Sequence, residues 1–138
     1  MKNKLILLVI ICSLVIPNLA QANDYPLEVT DDLDKEITIQ QQPTRIISLA
    51  PSHTETLFAL GVEDNLIGVT QQANYPTEVR EIEKVGSIKE PNLEEMIALK
   101  PDLVLAAGVT PKGVVHKLRQ LDIKVIGLNP QSIEGIID

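Results

Sequence analysis

From residue 45 onward the chain alternates short apolar runs with stretches whose apolar residues recur at helical spacing. The apolar runs predict β-strands over residues 45–49, 66–69, 103–106 and 124–128. The periodic stretches predict helices over residues 54–60, 93–99 and 112–121, with a weaker helix over residues 77–83. Strands separated by helices of this length form right-handed βαβ crossovers and a mostly parallel sheet covered on both faces. The sequence therefore predicts an α/β fold, a three-layer βαβ lobe over residues 45–130.

A small antiparallel unit is predicted ahead of this lobe, within residues 23–44. Residues 27–30 and 36–39 alternate apolar and polar side chains around the acidic sequence Asp31-Asp32-Leu33-Asp34, which predicts a hairpin. The polar residues 40–43 then form a connector between the hairpin and the lobe.

The first 22 residues have the pattern of a secretory signal peptide. Two lysines precede an apolar run over residues 5–16, and Ala20-Gln21-Ala22 supplies the small residues of a cleavage site. The run is shorter than the roughly 20 apolar residues of a transmembrane helix. Lipid attachment at Cys12 is not expected, because bulky Ile11 precedes it and the apolar run ahead of it is too short. We therefore expect a soluble, exported protein, without cysteine after cleavage and without disulfides.

The charge balance excludes one large class of partner. The chain carries 12 Lys and Arg residues against 19 Asp and Glu residues, a formal net charge of −7, and it has no basic stripe. Nucleic-acid binding depends on neutralising phosphates with Lys and Arg, so nucleic acid is not an expected partner. Aromatic side chains make up only 2% of the chain, so Tyr25, Phe58 and Tyr75 are the only rings available for stacking on a flat ligand.

Site chemistry is expected beyond the carboxyl ends of the predicted strands, where helix N-termini present free backbone amides. Three segments lie there: residues 50–53, 70–72 and 107–110. Within the first, Ser52 and Glu55 have the Ser-x-x-Glu spacing of a capping box, and Asn92 with Glu95 repeats that spacing. Each segment is compatible with a binding loop or with a plain connecting turn.

The sequence predicts neither a catalytic nor a metal site. Ser52 and His53 are adjacent at a helix start and point in different directions, so they cannot easily form the nucleophile-to-base hydrogen bond of a hydrolase triad. His53, Glu55 and the distant His116 lack the spacing of a metal-ligand set, and His116 is expected on the solvated face of its helix. The glycine-rich phosphate loops of nucleotide-binding proteins are absent from the sequence. From these residues we therefore expect no enzyme activity and no cofactor.

A set of motifs spread over residues 27–138 resembles one family of exported binding proteins. The motifs are Thr30-Asp31-Asp32-Leu33, the run from Pro43 to Glu55, Phe58-Ala59-Leu60-Gly61, Ile67-Gly68-Val69-Thr70, Tyr75-Pro76, Val85-Gly86, Asn92-Leu93-Glu94 and the run from Ile97 to Leu105. On these residues the chain is identified as a member of the periplasmic solute-binding proteins for cobalamin and ferric siderophores, the helical-backbone metal receptor family.

The resemblance implies the substrate-binding component of an ABC importer, which captures a metal chelate in the periplasm and delivers it to the inner-membrane permease. Members of the family have two α/β lobes joined by a long helix, with the ligand in the cleft between the lobes. The present sequence resembles the N-terminal half of that arrangement, and residues 131–138 resemble the start of the linking helix, with the C-terminal lobe absent. Two interpretations stay open: a fragment of a two-lobed binding protein, and a lone lobe that only contacts a permease or receptor.

The resemblance also implies which residues contact the ligand: Pro51, Ser52 and His53, then Gln71 and Gln72, and then Ser87, Ile88 and Lys89. We rank cobalamin or a related corrinoid first, because the run over residues 45–105 is most similar to that branch of the family. A ferric siderophore or haem ranks second. Cobalamin-binding relatives tend to carry aromatic rings at the positions of Gln72 and Ile88, and the absence of those rings here weakens the case for cobalamin. Amide and cationic groups would instead suit an anionic iron chelate. His53 could face or ligate the metal of the chelate, or be only a polar residue at a helix start.

A last residue carried over from the family is Glu94, which matches an exposed glutamate that pairs with arginines of the permease. A carboxylate in the first turn of a helix is stabilised by the helix dipole and stays free to dock. Stabilising that helix end is the alternative role of Glu94.

Overall fold

The computed structural model describes residues 25–129. Its strands are β1 (Leu27–Thr30), β2 (Glu36–Ile39), β3 (Ile46–Ser48), β4 (Leu66–Val69), β5 (Leu103–Ala107) and β6 (Lys124–Leu128). Its α-helices are α1 (Pro51–Ala59), α2 (Leu93–Ala98) and α3 (Lys112–Gln120), and short 3-10 helices cover Glu63–Asn65 and Thr77–Glu81.

Four of the strands form a parallel sheet in the order β4-β3-β5-β6. The chain passes from β3 to β4 at one edge, then crosses back to β5 on the other side of β3 and continues to β6. The three connections between these strands carry α1, α2 and α3 in turn. The α/β fold class with a mostly parallel sheet is therefore confirmed.

Alternate residues of the central strands face two separate hydrophobic clusters. Ile46 and Leu105 belong to the cluster that includes Leu57 of α1 and residues of the hairpin. Ile47 and Val104 belong to the cluster that includes residues of α2 and α3. Because successive side chains of a strand point to opposite faces, the sheet is the middle of three layers, as the sequence predicts.

The predicted hairpin is present, with β1 paired antiparallel to β2. Its acidic turn docks on the open edge of β6. The Asp31 carboxylate accepts a hydrogen bond from the N–H of Gly127 at 2.9 Å, and the Gly127 carbonyl accepts one from the N–H of Asp32 at 2.9 Å. Arg119 donates to Asp31 and to the Val125 carbonyl, each at 2.9 Å. These hydrogen bonds occupy backbone groups at the edge of β6. Because unpaired edge strands tend to pair with other chains, the turn and Arg119 protect this edge.

The start of α1 differs from the prediction. The helix begins at Pro51, with Ala50 as its N-cap and without a side-chain cap hydrogen bond, so the predicted capping box of Ser52 and Glu55 is wrong. Proline suits the first helical position because its φ is already helical and its missing N–H is not needed there. Ser52 therefore lies inside the first turn. At α2 the Asn92 half of the predicted capping box is confirmed, because the Asn92 side chain accepts from the N–H groups of Glu94 and Glu95. The Glu95 half is not formed, because the N–H of Asn92 donates to the Val85 carbonyl instead.

Three predictions concern shorter or terminal segments. The weaker helix expected over residues 77–83 is a 3-10 helix, Thr77–Glu81, which follows Pro76. The predicted signal peptide, residues 1–22, and the predicted start of the linking helix, residues 131–138, lie outside the described residues. Over residues 25–129, none of the helices has the length and apolar character needed to cross a membrane.

Candidate functional site

The carboxyl edge of the parallel sheet has a topological switch point between β3 and β5. The two strands are neighbours, but the chain leaves β3 towards one edge of the sheet and leaves β5 towards the other. Ligands of open α/β sheets bind at such points, because the diverging connections leave room beyond the strand ends. The first turn of α1 and residues 108–111 border this position.

The predicted ligand residues Pro51, Ser52 and His53 form the first turn of α1 rather than a loop. Two buried hydroxyl groups support this turn, since Thr54 Oγ1 donates to Ser48 Oγ at 2.9 Å and both residues are fully buried. Of the three predicted residues, Ser52 is exposed, Pro51 is half-buried and His53 is buried. Ser52 is therefore the side chain of this turn that solvent reaches most easily.

The imidazole of His53 faces the interior, and only 8% of the residue is exposed. Its Nδ1 atom has no hydrogen-bond partner among the described residues. Burial lowers the pKa of His53, and a hydrogen bond with the Leu105 backbone only partly opposes this effect. The ring is therefore neutral at pH 7. Contact between His53 and a ligand metal stays a prediction, and it would require the ring to move out of this position.

The predicted ligand residues Gln71, Gln72 and Ile88 come together beyond the end of β4. The N–H of Gln71 donates to the Gly86 carbonyl at 2.9 Å. The side-chain oxygen Oε1 of Gln72 accepts from the N–H of Ile88 at 3.1 Å. The loop after β4 and residues 86–88 therefore form one hydrogen-bonded unit.

A tight turn that starts at Gly86 shapes the second of these segments. Gly86 has a φ of +88°, and a Cβ atom there would lie 2.5 Å from both the backbone nitrogen of Asn92 and the carbonyl oxygen of Glu90. Glycine is thus the residue that this position accommodates without strain. Ser87 Oγ accepts from the N–H of Glu90 at 3.0 Å, and Lys89 is exposed within the turn.

Glu94, the residue predicted to contact a permease, lies in the first turn of α2. Asn92 Oδ1 accepts from the N–H of Glu94 at 3.1 Å and from the N–H of Glu95 at 3.3 Å. Glu94 itself is exposed. The N–H of Asn92 donates to the Val85 carbonyl at 2.9 Å, so the N-cap of α2 is hydrogen-bonded to the residue that precedes Gly86. The position of Glu94 is therefore tied to that turn.

A cavity of about 470 Å³ lies beside the loop that follows β5, where the sequence predicts site chemistry but not the contribution of the hairpin turn and α3. Its lining includes Leu33 of the hairpin turn, Ala107, Gly108 and Thr110 of the loop, and Lys112 and His116 of α3. Lys112 and His116 are four residues apart and share a helix face, so helical spacing after a strand-end loop could have found them. His116 is exposed, as expected. Within residues 25–129 no group of three or more His, Cys, Asp or Glu side chains is placed to hold a metal ion.

A family model described as periplasmic binding protein matches residues 46–138 of the chain. The chain belongs to the periplasmic binding protein family. Members of this family are binding proteins rather than enzymes, and they act outside the cytoplasm. The predicted family is therefore confirmed, and so is a location outside the cytoplasm.

Two relatives illustrate the similarity. The vitamin B12-binding protein of Vibrio vulnificus (strain YJ016) is 41% identical over 105 residues, which cover 74% of this chain and 38% of that protein. The Bacillus subtilis (strain 168) protein named "Uncharacterized ABC transporter substrate-binding lipoprotein YvrC" is 41% identical over 97 residues, 70% of this chain and 31% of that protein. The chain thus spans about a third of the length of the curated relatives it matches. Because one relative is named a lipoprotein, the absence of a lipid anchor on this chain stays a prediction.

Solved structures share the fold. The periplasmic vitamin B12 binding protein BtuF of Vibrio cholerae superposes with a TM-score of 0.64 and 36% identity, over 68% of this chain and 37% of that chain. The heme binding protein HmuT superposes with a TM-score of 0.69 and 25% identity, over 77% of this chain and 35% of that chain. The assignments of individual ligand and docking residues stay predictions.

Proposed function

We propose that this chain is the N-terminal lobe of the substrate-binding component of an ABC importer. The component captures a metal chelate, with cobalamin or a related corrinoid as the first candidate, and delivers it to the inner-membrane permease. In this role the first turn of α1, the loop after β4 and residues 87–89 form one wall of the ligand cleft. These segments carry Ser52, Gln71, Gln72, Ile88 and Lys89.

The hydrogen bond between Gln72 and Ile88 is the observation that supports this proposal most directly. The family resemblance assigns both residues to the ligand, although they are 16 positions apart, and a 3.1 Å bond joins their segments. The loop that carries Gln72 follows β4, and β4 is the neighbour of the strand that leads into α1. The three segments therefore lie at the same edge of the sheet, as one shared ligand wall requires. The 41% identity with a vitamin B12-binding protein favours a corrinoid over other chelates.

Haem or a ferric siderophore is the second candidate. It is favoured because few aromatic rings are available for contact with a ligand. Tyr25 and Phe58 pack against a core cluster, whereas Tyr75 is 67% exposed. With Tyr75 as the one exposed Tyr or Phe ring over residues 25–129, a corrinoid would depend mainly on hydrogen bonds to its amide side chains. The exposed Gln72 amide and Lys89 ammonium groups would instead suit the carboxylates of haem or an anionic iron chelate.

Calorimetric titration of the complete protein, as its source exports it, tests the ligand class. The probes are cyanocobalamin, haemin and a ferric tricatecholate. The proposal predicts that cyanocobalamin binds most tightly. Tighter binding of haemin or the ferric catecholate would show that the second candidate ligand is the correct one. Failure to bind any of the three would contradict metal-chelate capture.

Delivery to the permease is proposed to depend on the exposed carboxylate of Glu94. Glu94→Lys is expected to weaken docking at least about tenfold, because a like-charge contact costs several kcal/mol. Glu95→Lys is the matched control, since it makes the same charge change on the next residue, whose N–H shares the Asn92 cap. Docking is measured with the permease in lipid nanodiscs, and ligand affinity is measured separately. Equal effects of the two substitutions, or weaker ligand binding in Glu94→Lys, would contradict the role of Glu94.

A further inference from the structure

Lys84 is a half-buried cation beside the loop that follows β4. Its Nζ atom donates to the carbonyl of Ala73 at 3.1 Å and to the carbonyl of Val79 at 3.0 Å. Ala73 belongs to the loop and Val79 to the 3-10 helix after it, so one ammonium group holds both ends of residues 73–79. Within residues 25–129, ion pairs join Arg119 to Asp31 and Lys124 to Asp122, and no carboxylate is paired with Lys84.

The backbone of Lys84 is fixed to the edge of the parallel sheet. Lys84 forms a parallel bridge with Val69 at the end of β4. The N–H of Val69 donates to the Glu83 carbonyl at 2.9 Å, and the N–H of Val85 donates to the Val69 carbonyl at 3.0 Å. The ammonium group therefore extends from a rigid part of the fold to residues 70–79, a segment that has no strand of its own.

The backbone hydrogen bonds inside that segment are short-range. The N–H of Ala73 donates to the Thr70 carbonyl and the N–H of Val79 donates to the Pro76 carbonyl, so both bonds close turns of the segment itself. Lys84 supplies the side-chain hydrogen bonds that tie its middle and far end to the sheet. Gln71 and Gln72 lie at the near end of the same segment, directly before Ala73.

We propose that Lys84 is a positioning residue of the ligand site, which holds residues 70–79 so that Gln71 and Gln72 are presented to the ligand. The proposal rests on the proposed function, because it takes these two residues as ligand contacts. Lys84 acts through the loop and needs no contact with the ligand. When a loop occupies its binding-competent conformation for only about a tenth of the time, the observed affinity falls about tenfold.

Two substitutions test this role in the complete protein. Lys84→Met keeps the aliphatic stem and removes the ammonium group, and Lys84→Arg keeps a cationic donor. Lys124→Met is the matched control, because the Lys124 side chain is 43% exposed and forms an ion pair with the exposed Asp122, at 3.7 Å. The readouts are the Kd for cyanocobalamin and for haemin, and hydrogen exchange of residues 70–80.

The expected result is a Kd about tenfold higher in Lys84→Met, for whichever probe the wild type binds, with faster exchange in residues 70–80. Lys84→Arg should restore most of the affinity, and Lys124→Met should match the wild type. Leu118→Ala separates positioning from stability, because it destabilises the core on the α3 side of the sheet and should leave Kd unchanged well below its Tm.

Unchanged affinity in Lys84→Met would overturn the proposal, and so would unchanged exchange in residues 70–80. An equal loss of affinity in Leu118→Ala would also overturn it, since the effect would then follow global stability. If the wild type binds neither probe, the proposed function fails for these ligands. The exchange measurement still decides in that case whether Lys84 holds the loop.

Discussion

Asp31 links the hairpin to the parallel sheet, and Asp31→Ala should therefore destabilise the fold strongly. The carboxylate is fully buried and accepts hydrogen bonds from the N–H groups of Leu33, Lys35 and Gly127 and from Arg119, at 2.9–3.0 Å. Breaking a buried ion pair by removing one partner costs about 3–5 kcal/mol. Arg119 remains 28% exposed and keeps its bond to the Val125 carbonyl, so we expect the lower end of this range, about 3 kcal/mol.

Urea unfolding followed by far-ultraviolet circular dichroism measures this loss, since the chain has no Trp to serve as a fluorescent probe. Asp64→Ala is the control, because Asp64 is an exposed acid in the 3-10 helix Glu63–Asn65 and its removal changes the net charge equally. The control should stay within about 0.5 kcal/mol of the wild type. A loss below about 1 kcal/mol in Asp31→Ala, the size of an exposed ion pair, would refute the reasoning.

The same carboxylate makes part of the stability depend on pH. Burial raises the pKa of Asp31, but the hydrogen bonds from Gly127, Lys35 and Leu33 and the charge of Arg119 outweigh burial and lower it below its ordinary value of 3.8. A group with a lowered folded pKa contributes its stability above the unfolded pKa and loses it as the pH falls through the folded pKa. The difference between wild type and Asp31→Ala should therefore be constant above about pH 5 and shrink below about pH 4.

Three further predictions concern the candidate site. Burial lowers the pKa of His53 below 6.5, so its neutral form stabilises the fold fully above that pH and progressively less below it. The free energy of unfolding should therefore fall more steeply from pH 7.5 to pH 5 in the wild type than in His53→Gln, and equal slopes would contradict the burial of the ring. Gly86→Ala should cost about 1–3 kcal/mol, because φ is +88° and backbone atoms lie 2.5 Å from the added Cβ. Gly113→Ala, in α3 with nothing within 4 Å of its added Cβ, is the control and should stabilise the protein by up to about 1 kcal/mol in the same urea measurement. Asn92→Ala should cost about 1 kcal/mol through loss of the α2 cap and Asn92→Asp should cost less, so equal losses in thermal unfolding would argue against the cap.

The fold is predictable from the sequence because its signals are local. The predicted bounds of β4 and β6 match the structure at both ends, since each strand is a short apolar run between polar connections. The hairpin follows from alternation around its acidic turn. The start of α1 is not predicted correctly, because Ser52 and Pro51 each favour a different first residue and proline occupies the first helical position.

The candidate site is less predictable because its contacts join residues distant in the chain. Gln72 and Ile88 were both predicted from the family resemblance, but their hydrogen bond depends on how two loops pack. The contact of Asp31 with Gly127 spans 96 positions, so the acidic pattern that predicts a turn says nothing of the strand edge it closes. The hydrogen bond of His53 with the Leu105 backbone joins α1 to β5 and depends in the same way on tertiary packing.

Native mass spectrometry of the protein recovered from the periplasm of its own source tests the central claim most directly. We expect a chain that starts after Ala22 and carries a non-covalently bound corrinoid. A bound haem or iron chelate in its place would contradict the ranking of ligands and keep the transport role. A polypeptide recovered with no bound chelate, and unable to take one up on addition of cyanocobalamin, haemin or a ferric tricatecholate, would contradict the claim that the protein captures metal chelates.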